Sequence, residues 1–321
     1  VKRKFLANLV LTTAIAIGFA TPALAHGSEA KNTESIIESI SPKPSSVAIS
    51  IAAGDSFIVV KADKGHTVEI AGYSGEPYLR VRDDGRVEEN QNSPAVVLNK
   101  SRLADVDSVT PDPSLQPEWV TIARNGEVAW HDHRIHWMSP TTPPTLDDAG
   151  TVQQWSVNLI VDGQEVVVAG RLVLLNSPSV MWWLVAVPFA ALLFLAMRRR
   201  ALSIAVLAVG VSVLLIDVAR MRALPEVAHH TPTVGIAGGV AALLALAGLI
   251  NRREKFADAL LAGIGTAGCL VAYTGISWMT NAVLPGVRYE WLARGSLAAI
   301  AGAGIAAVYA GVNGALKISQ Q

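Results

Sequence analysis

Five apolar stretches in residues 180–321 constrain this chain more than any other feature. They run about 180–197, 201–219, 233–250, 258–279 and 296–316. Each approaches the ~20 residues that a helix needs to cross a bilayer core. A backbone in hydrocarbon must satisfy its own hydrogen bonds, so such stretches read as transmembrane helices. Only Arg198-Arg199-Arg200 separates the first two, which predicts a tight antiparallel pair. That triplet, Arg252-Arg253 with Lys255, and Lys317 all fall on one side of a five-span path. Arg220, Arg222, Arg288 and Arg294 fall on the other side, partly offset by Glu226 and Glu290. Dense basic clusters mark the cytoplasmic side, so the C-terminus is expected inside.

The first 25 residues agree with this orientation. Lys2, Arg3 and Lys4 precede an apolar run from Leu6 to Phe19, and Ala23-Leu24-Ala25 has the small-x-small pattern of a cleavage site. These are the three parts of a secretory signal peptide; an uncleaved anchor helix is the other reading. Cleavage after Ala25 gives a mature chain beginning at His26. Residues 26–179 then form an extracytoplasmic domain and residues 180–321 a membrane domain at the cell membrane. Their charges differ in the same sense: 12 Lys and Arg against 21 Asp and Glu in the first, 11 against 5 in the second. An acidic outer part argues against nucleic acid as a partner. One Cys excludes a disulfide framework and any multi-Cys metal site in a single chain. All seven histidines fall on the outer side of this topology.

From about 47 to 175 the apolar residues recur with a period near two. Ser46 to Ile51, Phe57 to Lys61, Thr67 to Ile70 and Tyr78 to Val81 read as short strands. Turn signals such as Asp63-Lys64-Gly65 and Arg124-Asn125-Gly126 separate them. Trp155 to Val161 and Glu165 to Val168 meet across Asp162-Gly163-Gln164, a hairpin signal. The prolines of 105–118 and 139–151 predict surface loops. The expected fold is a secreted all-β sandwich, immunoglobulin-like or cupredoxin-like, followed by the five-helix membrane domain.

The densest chemical constellation is Trp130-His131-Asp132-His133-Arg134-Ile135-His136-Trp137-Met138. On an extended strand His131 and His133 share a face, and two imidazoles at i, i+2 can chelate one ion. Imidazole suits copper, zinc or nickel. His26 adds an amine and an imidazole together, a grip that Cu(II) favours. Strict alternation puts His136 on the opposite face, outside this set. Asp132 is placed to orient a ring from behind. Metal affinity is expected to fall as pH drops through about 6.5. The residues equally fit a structural strand wedged between the outer domain and the membrane surface. Glu76 is a candidate cation ligand or partner of Arg134. In the membrane part Asp217 is a candidate by its place near the outer end of a span, although a surface pair with Arg220 accounts for it too. His229 and His230 follow in the next outer loop.

His26 with an H-x-H pair resembles the outer copper domain of the particulate methane monooxygenase B subunit. It also resembles CopC-like copper-resistance domains, which begin with His. The CopC-like pattern places a His after Asp-Gly near the end of the chain; here that position is Gln164. Gly72 to Arg80, Asn90, Ser93-Pro94-Ala95, Asn99 and Trp130 to Met138 are similar to a family of actinobacterial membrane proteins. Their resemblance implies a signal peptide, this outer domain and a variable membrane part, with no activity attached. Three readings stay open. One is a membrane-anchored protein binding copper, with zinc the alternative, through His131, His133 and His26. Another is an interaction module of a membrane-protein complex without metal. The third is a copper oxidoreductase, although no nucleophile–base pattern or nucleotide fingerprint occurs.

Overall fold

In a computed structural model the structure describes residues 29–100, 102, 112–139, 141–251 and 254–318. The expected signal peptide, His26, Arg252, Arg253 and residues 105–111 of the expected 105–118 loop lie outside the described residues.

Among the described residues, ten strands form two antiparallel sheets, and a helical region follows. The strands are β1 (Thr33–Ser41), β2 (Val47–Ala52), β3 (Phe57–Ala62), β4 (Val68–Ala71), β5 (Pro77–Val81), β6 (Val87–Asn90), β7 (Trp119–Ala123), β8 (Glu127–His131), β9 (Thr151–Val161) and β10 (Gln164–Leu174). Seven make one sheet in the order β1-β10-β9-β4-β5-β6-β7, and β2-β3-β8 make the other. One core takes side chains from both: Ile58, Val60, Val128 and Trp130 from the small sheet, and Ile70, Leu79, Leu159 and Leu172 from the large one. The alternation of β9 is the cleanest, with Trp155, Val157, Leu159 and Val161 buried and the residues between them exposed. The expected hairpin joins β9 to β10. Asp162 and Gly163 both have positive φ, 51° and 77°, as a tight two-residue turn matching strand twist requires. Sequence periodicity starts the sheet at 47, and the structure adds β1, whose half-buried Glu34 and exposed Glu38 interrupt any apolar pattern. A five-residue helix, α1 (Pro94–Leu98), is a further addition; Ser93 caps it.

The helices of the second part are α2 (Val180–Leu195), α3 (Arg199–Arg222), α4 (Thr233–Ile250), α5 (Glu254–Thr274), α6 (Ile276–Thr280) and α7 (Glu290–Ile318). Four of them, α3, α4, α5 and α7, are long and apolar enough to cross a membrane. The first expected span, α2, is apolar but only 16 residues long. The fourth expected span is broken at Gly275: α5 stops at Thr274 and α6 is a separate single turn. A Cβ on Gly275 would stand within 2.8 Å of both Leu297 methyl carbons, so close packing against α7 accounts for the glycine. Small residues set the same approach elsewhere: Gly210 and Gly238 face each other across α3 and α4, and Gly265 and Gly304 across α5 and α7.

The two parts are stitched together. Lys31 and Val283 exchange backbone hydrogen bonds of 3.1 and 2.8 Å, and the Ala282 N–H donates to the Asn32 side-chain oxygen at 2.8 Å. Ala53 and Phe57 pack with Met221, Leu224 and Ala228 in a small apolar cluster.

Candidate metal centre

The strand β8 ends at His131 because the next residue caps a turn. Asp132 accepts from the Arg134 N–H at 2.9 Å and starts a one-turn 3-10 helix, His133–Ile135. Its carboxylate also takes Arg134 Nε and Nη2 at 2.8 and 2.6 Å and the Trp130 indole N–H at 2.8 Å. Asp132 is fully buried. Burial by itself would raise its pKa, and the Arg134 bonds overcome that and hold it below the usual carboxylate range. Ile135 is buried beneath the turn, and its carbonyl accepts from the Ser35 hydroxyl of β1. Gln153 of β9 donates to the Arg134 carbonyl at 2.9 Å. Tyr73 holds the other side: its hydroxyl accepts from the His133 N–H at 2.9 Å, donates to Asn99, and its ring stacks on the His133 ring.

This turn corrects the expected geometry. An extended segment would pair His131 with His133 and turn His136 away. The 3-10 turn instead brings His136 back, and all three rings face one another. Ring centroids are 5.3 Å apart for His131 and His133, 4.6 Å for His131 and His136, and 5.2 Å for His133 and His136. One nitrogen from each lies within 4.8 Å of the others. Three nitrogens at ~2.0–2.1 Å from one ion stand roughly 3.3–3.6 Å apart, so a bound ion asks the cage to close by up to about an ångström or slightly more.

His136 Nδ1 lies 3.0 Å from the Trp137 carbonyl, so that nitrogen carries the hydrogen and Nε2 presents a lone pair. Donating the far N–H to a carbonyl is what metal-bound imidazoles do. His136 Nε2 and both ring nitrogens of His131 are buried and find no hydrogen-bond partner among the described residues. An unsatisfied buried polar atom costs about 1–3 kcal/mol, and an ion would satisfy one on each ring. Burial, then the neighbouring imidazoles and Arg102, push His131 down to about 3; burial and Arg102 push His136 down to about 4. Both rings therefore stay neutral well below the ordinary value of about 6.5.

The acids nearby are already engaged. Asp55, fully buried, takes Lys31 Nζ at 2.9 Å, Thr33 Oγ1 at 2.6 Å, and Arg102 Nη1 and Nη2 at 3.0 and 2.7 Å. Burial would raise Asp55, but the Lys31 ammonium and the Arg102 guanidinium hold it below the usual range. Burial lowers Lys31 to about 8. A donor set of three imidazoles without carboxylate suits copper, zinc or nickel and not calcium or magnesium.

The other candidates lie apart from the cage. Glu76 accepts from the Ser74 N–H at 2.9 Å and the Ser93 hydroxyl at 2.7 Å. It therefore braces the Gly72–Gly75 turn and is not hydrogen-bonded to Arg134. Asp217 and Arg220 are a buried pair at 2.9 Å, not a surface one, and Asp217 also accepts from the Gly235 N–H at 2.8 Å. Arg220 reaches His230 at 3.1 Å, while His229 meets the Leu224 carbonyl at 3.0 Å. This network knits α3 to α4. Asp55, Arg102 and Asp258 were not singled out by sequence reasoning. Asp55 reads as an ordinary turn residue after Gly54, and its partners come from 22 to 47 residues away.

The chain matches no protein-family model, no curated protein and no solved structure. What the residues can do must come from the cage itself.

Proposed function

We propose that this chain is a membrane-anchored protein whose β domain lies outside the cell and binds copper, with zinc as the alternative, through His131, His133 and His136. The observation that carries this reading is the set of buried, partnerless nitrogens on His131 and His136, closed by the third ring. The protein's own part is to hold those nitrogens neutral and converging, with Asp132, Tyr73 and Gln153 fixing the turn from behind. Copper at such a site would supply a Lewis-acid or one-electron centre.

His26 is the proposed fourth donor. Lys31 is anchored to Asp55 and Ser56 at 2.9 and 2.5 Å, and Phe57, next in the chain, touches the His131 ring edge-on at 5.7 Å. Five residues of extended chain reach at most about 18 Å, enough to bring a mature N-terminus to the cage. The resemblance to outer copper domains and to the actinobacterial membrane family fits this arrangement.

The proposed orientation takes α2 as a fifth span beside the four long helices. At 1.5 Å per residue α2 is about 24 Å long against a ~30 Å core. It nonetheless exposes Met181, Trp182, Leu184, Val185 and Phe189 as a lipid-facing surface would, and the arginines after it can snorkel. With α2 as the first span, Arg198–Arg200 lies inside. A second reading, an interaction module, draws on β7, an edge strand that exposes Val120 and Ile122.

Titration of the full chain in detergent with Cu(II) and Zn(II) tests the proposal. His131→Ala with His136→Ala should weaken binding about 100-fold or more, beyond what loss of a supporting residue costs. Equal binding by wild type and double variant would leave the interaction-module reading in its place.

A further inference from the structure

A second site lies at the far end of the helices, where α3 begins, α4 ends and α5 begins. A cleft of about 600 Å³ opens there, within the range of small-molecule sites. Its exposed rim carries Arg199 and Arg200, with Asn251 beside them, and its walls are Leu249, Leu260 and Ile264. The two arginines are not equivalent. Arg199 pairs with Asp258 of α5, a carboxylate otherwise buried and without a hydrogen-bond partner among the described residues. The pair sits against Gly314 of α7, where a Cβ would collide with both groups. Arg199 is thus neutralised and spent on packing. Arg200 has no ion-pair or hydrogen-bond partner among the described residues, so its charge is left facing the cleft.

The geometry points to an anionic phospholipid as the occupant of this cleft. Arg200 complements the phosphate, and the leucine and isoleucine walls take the first methylenes of an acyl chain. A soluble anion would leave those walls without a partner; a zwitterionic lipid would bring its own cation to Arg200. Basic recesses between helices at the cytoplasmic face are suited to acidic headgroups. This inference rests on the membrane reading proposed above, not on the metal.

Native mass spectrometry of the full chain, released from detergent with equimolar phosphatidylglycerol and phosphatidylcholine, tests it. Wild type should retain phosphatidylglycerol preferentially. Arg200→Gln should lower that retention about fivefold, the weight of one basic residue near an acidic headgroup. Arg198→Gln removes an equal charge from an exposed neighbour outside the cleft and should lower retention less than Arg200→Gln does. Leu249→Trp, which fills the recess, should weaken retention of both lipids. Equal retention of the two lipids by wild type overturns the site, as does an Arg198→Gln loss matching that of Arg200→Gln. A chain that stays monodisperse without detergent would overturn the membrane reading itself.

Discussion

The buried imidazoles of His131 and His136 stay neutral far below the ordinary histidine range. Burial is the first cause for both, and the cation of Arg102 adds to it. A proton competes with a metal only where the folded ring would take it, so depressed values extend binding toward acid. Copper should stay on the chain at about pH 5 and leave as the pH falls through about 4; an ordinary histidine site would release near 6.5. Dialysis of the copper-loaded chain across this range, with circular dichroism at each pH to mark unfolding, checks the sign. Release centred near 6.5 would mean that the rings are open to water. The histidine cluster is legible from residues 130–138 alone, since three His in six positions cannot be missed. Which of its members converge is not legible. That depends on Asp132 finding Arg134 and Trp130.

The one-turn helix His133–Ile135 is the element that makes the site. A period-two reading carries the strand through to Trp137 and discards His136; the strand stops at His131 because Asp132 offers the backbone a better bond. Asp132→Ala leaves Arg134 partly buried without its counter-ion. Breaking a buried pair from one side costs about 3–5 kcal/mol, and loss of a residue that orients ligands costs about 10–100-fold in metal affinity. The variant should therefore show both a lower urea midpoint and weaker copper binding. Unchanged affinity would mean that the turn does not set the cage. The β9–β10 hairpin is the contrasting case. Its Asp-Gly turn and clean alternation are local signals, so the sequence reading finds the hairpin; the structure moves Gln164 from the turn into β10 and lengthens both strands, to Thr151–Val161 and Gln164–Leu174. β1 is the opposite: six of its nine residues are polar, and only pairing with β10 makes it a strand.

At the scale of the whole chain, the division into a sheet domain and a helical domain is legible from apolar run length and charge alone. How the two meet is not, because Lys31 with Val283 and Phe57 with Met221 and Leu224 join residues far apart in sequence. That junction places the cage next to the helical domain, since Phe57 touches both the His131 ring and the Met221 cluster. The central claim is that three imidazoles of one turn hold a single ion. X-ray absorption spectroscopy of the copper-loaded full chain tests it most directly. The account predicts nitrogen scatterers at ~2.0 Å, with the outer-shell scattering of three imidazole rings that diminishes in His136→Ala. A spectrum without imidazole scattering, or one that His136→Ala leaves unchanged, would contradict it.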